Sequence, residues 1–369
     1  MNSARPRVIQ WGTGGVGLHA LEMILASRDL ELVGVKCFTA AKDGVDAGAL
    51  VGLGPVGVTV TSDAAAVLEI AADVVLYMPR DLFLDPTAHE SPSAAWIDEV
   101  VRILESGKSV VSPLQSAMHW RQLADGHRLR QRLDAVCRSA EVSLFFTGLD
   151  PGFISDCLAT ALTSAAGRIE QVRTFEVIDY STYQSADTLR AMGFGMPVDE
   201  ETPDGAETLI PSWGCASWLV ADALGVEIDD LVLAVEPFLS TTDFVSSGGL
   251  HVAVGTVAAM RWSLTAMVDG HARIVNSHVG RIGADLAPDW PQIGSKGGYR
   301  IEIDGSPPLL AELPLGLDGG TGTCLGDAVL MTAARCVNSI STVLDAAAGY
   351  HLLNELPSFG GRHALRPPT

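Results

Sequence analysis

The residues best placed to do chemistry in this chain are glycines. The apolar run Val8-Ile9-Gln10-Trp11 leads into Gly12-Thr13-Gly14-Gly15-Val16-Gly17, which fits G-x-G-x-x-G, and a helical pattern starts at Leu18. Strand, glycine corner and helix in that order form a dinucleotide fingerprint. Gly12 permits the tight turn, Gly14 lets backbone approach a pyrophosphate, and Gly17 lets helix pack close to strand. The N–H groups of the corner, with Thr13, Gly15 and Val16, and the positive helix end then face phosphates. A purely structural glycine turn is the competing reading.

A nicotinamide needs few side chains: correct placement, a donor for developing charge, and exclusion of water. Gln115 and His119 follow the fifth strand of the pattern. An amide orients a carbonyl or amine, and an imidazole titrates near neutrality; the bland readings are a polar loop residue and a helix cap beside Trp120. Tyr180 and Tyr183 follow a strand containing Glu176 and Asp179. A phenol can donate a proton, although aromatics there also line pockets, and Asp179 reads as a structural cap. His251, His271 and His278 sit in β-rich segments without close acidic partners. With no H-E-x-x-H, no metal site is expected, and no G-x-S-x-G elbow supports a serine hydrolase.

The second strand ends in Val35-Lys36-Cys37-Phe38-Thr39, with Lys42 nearby and no carboxylate to hold ribose hydroxyls. Thr39 and the two cations suit an adenosine 2′-phosphate, so NADP is favoured and NAD stays open. Met78 and Pro79, at the end of the fourth strand, join the nucleotide-binding set. Gly148, in a Thr147–Phe153 segment whose glycines permit close backbone approach, also joins it. Asn338 completes it.

Strand and helix alternate through the first half: strands at 8–11, 30–38, 56–61, 74–78, 109–112 and 142–147, helices at 18–27, 64–70, 91–106 and 120–139. Near-continuous Val/Ile/Leu strands between helices predict a doubly wound parallel sheet, with ligand at its carboxyl ends. The second half changes character. A helix over 154–165, a strand over 172–179, loops over 190–211 and a helix over 217–224 precede β-rich runs at 231–239, 252–268, 272–282, 298–303 and 309–313. The class is α/β: a Rossmann domain over 1–148, then an α+β substrate and dimerisation domain over 149–325 with a mostly antiparallel sheet. A helix within 326–369 is expected to pack back on the first domain.

The chain has 369 residues, enough for two cores. A net charge of -20 argues against nucleic acid and anionic membranes. Six scattered cysteines without C-x-x-C read as buried thiols in a reducing compartment. Met1 to Arg7 leads directly into the first strand and no long apolar span follows, so the cytoplasm is expected. The second half is rich in Met192, Phe194, Trp213, Trp218, Met260 and Trp262 and lacks clustered arginines, which points to an apolar small-molecule substrate.

Several segments share one family resemblance. Leu32-Val33-Gly34-Val35, Lys42-Asp43-Gly44-Val45-Asp46-Ala47-Gly48 and Ala72-Asp73-Val74-Val75-Leu76-Tyr77 resemble a dihydrodipicolinate-reductase-like N-terminal domain. Thr147-Gly148-Leu149-Asp150-Pro151-Gly152-Phe153, Glu176-Val177-Ile178-Asp179-Tyr180, Met192-Gly193-Phe194-Gly195, Ala287-Pro288-Asp289-Trp290-Pro291 and Cys336-Val337-Asn338-Ser339-Ile340 resemble the native amine dehydrogenases and 2,4-diaminopentanoate dehydrogenase. The resemblance implies an NAD(P)-dependent, homodimeric oxidoreductase. It also implies a proton-handling glutamate after G-K-x-V-V-S. Here Gly107-Lys108-Ser109-Val110-Val111-Ser112 is followed by no carboxylate through Trp120, and Gln115, or Ser116, is the counterpart. An amide cannot relay a proton at neutral pH. The expectation is a reductase of a C=O or C=N bond of an apolar molecule. The alternatives are reduction of an activated C=C bond, or a catalytically silent nucleotide-binding protein.

Overall fold

The computed structural model describes residues 5–79, 93–114, 118, 121, 126–198 and 206–364. The chain divides into two compact units, one holding the N-terminal segment, the stretch ending at Gly152 and everything from Val329, the other running from Phe153 to Ala328.

The first unit begins with β1 (Arg7–Trp11), α1 (Gly15–Ala26), β2 (Glu31–Lys36), β3 (Val60–Thr61) and α2 (Ala64–Leu68). It continues through β4 (Val74–Tyr77), α3 (Ser93–Glu105), β5 (Ser109–Ser112), α4 (Gly126–Ala140) and β6 (Ser143–Phe146). The second unit holds a π turn at Ile154–Leu158, α5 (Ala159–Thr163), β7 (Arg168–Asp179), α6 (Ala186–Ala191), α7 (Ala206–Leu224) and β8 (Asp230–Leu239). There follow β9 (Phe244–Val245), β10 (His251–Val252), β11 (Val257–Val268), β12 (His271–Arg281), β13 (Gly297–Ser306) and β14 (Leu309–Pro314). Last come α8 (Cys324–Asp345), which belongs to the first unit from Val329 on, and β15 (Gly349–His351).

Among the described residues the first unit carries a seven-stranded sheet in the order β15-β6-β5-β4-β1-β2-β3, with every pair parallel. Each residue of β4, β5 and β6 is buried, as a parallel sheet covered on both faces requires. Strand order reverses between β1 and β4. The crevice outside the carboxyl ends at such a switch point is where doubly wound sheets bind ligands, and the glycine corner follows β1 directly.

The second unit's sheet runs β14-β13-β7-β12-β11-β8. It is antiparallel except for β7 and β12, which pair in parallel from Ile274↔Val172 to Arg281↔Asp179. α7 packs against β8, β11 and β12, with Val220 and Ala221 set against Ala266 and Ile274.

Several boundaries differ from the sequence pattern. The stretch read as loop, 190–211, opens on the last residues of α6, a helix started by the Ser185 hydroxyl accepting from the Thr188 N–H, and closes on the first turns of α7, which begins well before Ser217. Gly193, Gly195 and Pro197 suggested loop throughout, but they only separate the two helices. The run over 252–268 is broken at Ala253–Thr256 by a turn. β3 keeps only two residues because Asp46 captures the N–H groups of Val56 and Gly57. β15, too short to show periodicity, closes the sheet beside β6. Among the described residues no helix is long and apolar enough to cross a membrane.

Candidate active site

The glycine corner is built as its spacing predicts. Gly12 has φ +105°, and a Cβ there would lie 2.1 Å from the Met78 carbonyl oxygen. Its N–H donates to the Lys36 carbonyl at 2.8 Å, while Met78 donates to the Trp11 carbonyl at 2.7 Å. The corner is thus clamped between β2 and β4, and Met78 and Pro79 lie beside it. A Cβ at Gly17 would meet the Gly12 carbonyl oxygen at 2.2 Å, so α1 abuts the turn. Gly14 is different: its φ is -76°, open to any residue, and a Cβ there would meet nothing within 4 Å. The fold does not need glycine at that position.

The start of α1 is also unguarded. Gly14 supplies no side-chain cap and the first turn has no acidic residue, whereas α2 opens with the Asp63 carboxylate accepting from Ala65 and Ala66. Uncapped N–H groups at an exposed glycine corner fit a dinucleotide's pyrophosphate. Thr13 is buried and offers backbone; its carbonyl accepts from Lys42 Nζ at 2.6 Å, which brings that ammonium to the corner. Thr39 is exposed, and its carbonyl accepts from the Lys42 N–H. Val16 is half-buried on α1, and a Cβ at Gly15 would lie 3.6 Å from Val329 of α8. Lys36, counted with Lys42 as a cation for the nucleotide, is instead buried, with its ammonium 3.2 Å from the Phe38 ring centre; burial lowers its pKa, against the pull of Glu99.

Gly148 lies in a locked loop. A Cβ at Gly152 would come within 2.0 Å of the Gly148 nitrogen, and one at Gly148 would lie 3.0 Å from the Pro151 carbonyl oxygen. Thr147 Oγ1 donates to the Gly152 carbonyl, and Cys336 of α8 donates to the Thr147 carbonyl. Asn338 sits two residues past Cys336, about 13 Å along α8 from Val329. Its Oδ1 is buried and has no partner among the described residues. Gln115 and His119 lie outside the described residues.

In the second unit, Tyr180 and Tyr183 come together after β7, their rings 6.3 Å apart and nearly perpendicular. The Tyr180 ring packs on Phe194, among Leu189, Leu250 and Ile282. Tyr180 also reaches a group that the sequence pattern missed. His278, read as lacking an acidic neighbour, has one: Nδ1 lies 2.6 Å from Glu176 Oε2. The parallel pairing of β7 and β12 sets Glu176 opposite His278, across a sequence separation of 102 residues. His251 and His271 are exposed and apart from it.

Register extends this pair into a row. Tyr299 of β13 pairs with Glu176, and Trp262 of β11 pairs with His278. Directly paired residues share a face of the sheet. The Tyr299 hydroxyl donates to Glu176 Oε1 at 2.6 Å, Trp262 stacks on the imidazole at 13° between planes, and the Tyr180 hydroxyl lies 3.4 Å from His278 Nε2. Trp213 of α7 closes against both Trp262 and His278. Burial, then the charge of Glu176, pushes the Tyr180 phenol well above its ordinary pKa, so it stays a proton donor across the physiological range.

The comparisons agree with this architecture. Residues 153–363 match the family model of the 2,4-diaminopentanoate dehydrogenase C-terminal domain. The chain is 32% identical over 356 residues to an amine dehydrogenase of Streptomyces virginiae, covering 95% of each chain. It is 26% identical over 366 residues to a 2,4-diaminopentanoate dehydrogenase of Acetoanaerobium sticklandii, covering 95% of this chain and 93% of that one. The structure of amine dehydrogenase from Mycobacterium smegmatis shares the fold with a TM-score of 0.76 at 20% identity, covering 98% of this chain and 99% of that one. The chain belongs to the 2,4-diaminopentanoate dehydrogenase and amine dehydrogenase family and is an NAD(P)-dependent oxidoreductase.

Proposed function

We propose that this oxidoreductase reduces a C=O or C=N bond of an apolar small molecule, with NADP preferred over NAD. When bound, the nicotinamide supplies the hydride. Gly12–Gly17 would hold the diphosphate through backbone N–H groups, and Lys42, tethered to Thr13, would place a cation beside it. The preference for NADP draws on the absence of a carboxylate at the end of β2 and on that ammonium.

One observation carries the substrate class: every arginine of the second unit is already engaged. Arg173 pairs with Glu302 and Asp304, Arg300 with Glu312, Arg261 with Glu236, Arg190 with Asp187 and Arg168 with Glu170. Arg281 donates to the carbonyls of Leu286 and Pro291, and Arg273 to that of Glu170. None is left to clamp a substrate carboxylate bidentately, while Phe194, Trp213, Trp262 and Tyr180 supply apolar surface. Following reduced-nicotinamide absorbance with a panel of apolar ketones, with and without ammonia, tests the reading. Turnover confined to keto acids, or none at all, refutes it. Replacing Gln115 with Glu should raise the ammonia-dependent rate if that position handles the proton in amination.

The same reading makes the protein a cytoplasmic homodimer. β11 and β12 are flanked on both sides by other strands, so neither offers a free edge. Of the sheet's two edge strands, β14 and β8, β8 exposes Val232, Val235 and Leu239, and a second copy is the partner that suits it. Light scattering after size exclusion should give twice the chain mass, and a monomer would overturn this part.

A further inference from the structure

We propose that Tyr180 is the proton donor of this oxidoreductase and that Glu176 and His278 form the relay that positions and refills its phenol; this rests on the reductase reading above. Each member of the relay is fixed by its neighbours. Glu176 spends one carboxylate oxygen on His278 Nδ1 and the other on the Tyr299 hydroxyl, each at 2.6 Å, so it cannot rotate away. A carboxylate on Nδ1 keeps a proton there and leaves Nε2 to face the Tyr180 hydroxyl. Trp262 stacked on the imidazole holds the ring plane. Gly280 makes room: a Cβ there would lie 3.1 Å from Tyr180 Cε2 and 3.3 Å from His278 Nε2.

The cluster also keeps donors in reserve. The 3.4 Å contact to His278 leaves the Tyr180 O–H able to serve another acceptor. The Trp213 Nε1–H is buried and has no partner among the described residues. A phenol and an indole N–H in an aromatic setting can hold the oxygen or nitrogen of a reducible double bond. A network present only to join strands would have little reason to leave them uncommitted.

The step balances. When bound, the reduced nicotinamide would supply the carbon with a hydride and, with it, the electron pair. The heteroatom takes the phenol proton as the Tyr180 O–H bond breaks. The resulting phenolate is reprotonated from solvent by way of His278 Nε2, while Nδ1 stays hydrogen-bonded to Glu176. Among the described residues, the further titratable groups facing Tyr180 and His278 are Tyr299, Tyr183 and Cys324.

Two measurements on Y180F, H278Q and E176Q test the relay. The first is nitrogen NMR of the cofactor-free protein with labelled histidine. Nδ1 of His278 should carry a proton that E176Q displaces, and Y180F should move the Nε2 resonance. Resonances indifferent to both substitutions would overturn the relay. The second is kinetics on whichever panel substrate is turned over. Y180F should lose about 100-fold or more in kcat with KM and cofactor Kd within about threefold, and H278Q should displace the pH profile of kcat. A Y180F rate within about threefold of the unaltered protein would overturn the donor assignment. The two readings fail separately. An unaltered protein that turns over nothing refutes the reductase reading, and the His278 resonances then decide the relay alone.

Discussion

Replacing Gly14 and Gly17 separately by alanine should divide nucleotide binding from folding at the corner. At Gly14 the backbone is ordinary and a methyl group would point into open space. Gly14→Ala should therefore cost the fold under about 1 kcal/mol, the range of an N-cap exchange between small residues. If a diphosphate lies over the corner, that methyl occupies its place. Losing one hydrogen bond to a charged group costs about 1.5–3 kcal/mol, which weakens binding roughly 10- to 150-fold. At Gly17 the same methyl would meet the Gly12 carbonyl oxygen at 2.2 Å. The helix must retreat by about 1 Å, and overpacking of that kind costs about 1–3 kcal/mol. Calorimetric titration with NADPH and with NADH, beside thermal unfolding of each variant, reads both quantities. Gly14→Ala should lose affinity at unchanged stability, and Gly17→Ala should lose both. A Gly14→Ala protein that binds either nucleotide like the parent would refute the placement of the diphosphate.

Lys42→Met should lower NADP affinity more than NAD affinity in competition titration, whereas Lys36→Met should leave their ratio unchanged because its ammonium is spent on Phe38. Gly280→Ala drives a methyl to 2.8 Å from the Phe194 ring as well as against Tyr180 and His278, so stability should fall by about 1–3 kcal/mol in denaturant titration. Burial pushes the thiols of Cys137, Cys324 and Cys336 up to about 12. At pH 8 roughly one in ten thousand is then ionised, and native-state alkylation mapped by mass spectrometry should spare all three. For Asp327, burial raises the carboxyl pKa, but bonds from Thr321 and Gly316 outweigh that and hold it below the usual range. A depressed folded pKa gives stability that is complete above the unfolded value, about 3.9, and is lost as pH falls through the folded one. Asp327→Asn should thus destabilise at neutral pH by an amount that shrinks below about pH 4.

The first unit was legible because its signals are local. A parallel strand buried on both faces reads as an uninterrupted apolar run, as Val74 to Tyr77 does, and a glycine that must avoid a carbonyl 2.1 Å away leaves its mark in the sequence. Where local signals conflict, tertiary context prevails. Pro211 and Gly214 argue against helix, yet both lie within α7, whose burial against β11 and β12 outweighs their propensities. Short elements such as β15 carry too few residues for periodicity and exist only by pairing with β6.

The polar row of the second unit was hidden for a different reason. Glu176 and Tyr180 stood out at the end of a strand, and His278 stood out as an isolated histidine, but nothing in either segment states that β7 and β12 are neighbours running the same way. In a sheet read as mostly antiparallel, the one parallel pair is the least expected contact, and it is the pair that sets Glu176 opposite His278. Alternation offers a partial signal: Thr174 and Glu176 on β7, and Asn276 and His278 on β12, put polar residues on the face each strand should bury. Those positions are satisfied by each other, by α7 and by Tyr299 of β13, through Thr174 to Asn276, Asn276 to Ser217, Glu176 to His278 and Tyr299 to Glu176. Adjacent strands carrying polar residues at matching inward positions are costly unless the residues pair. That cost makes matched inward polar positions a sequence-borne sign that two strands are neighbours, and in the second unit's sheet they single out its one parallel pair.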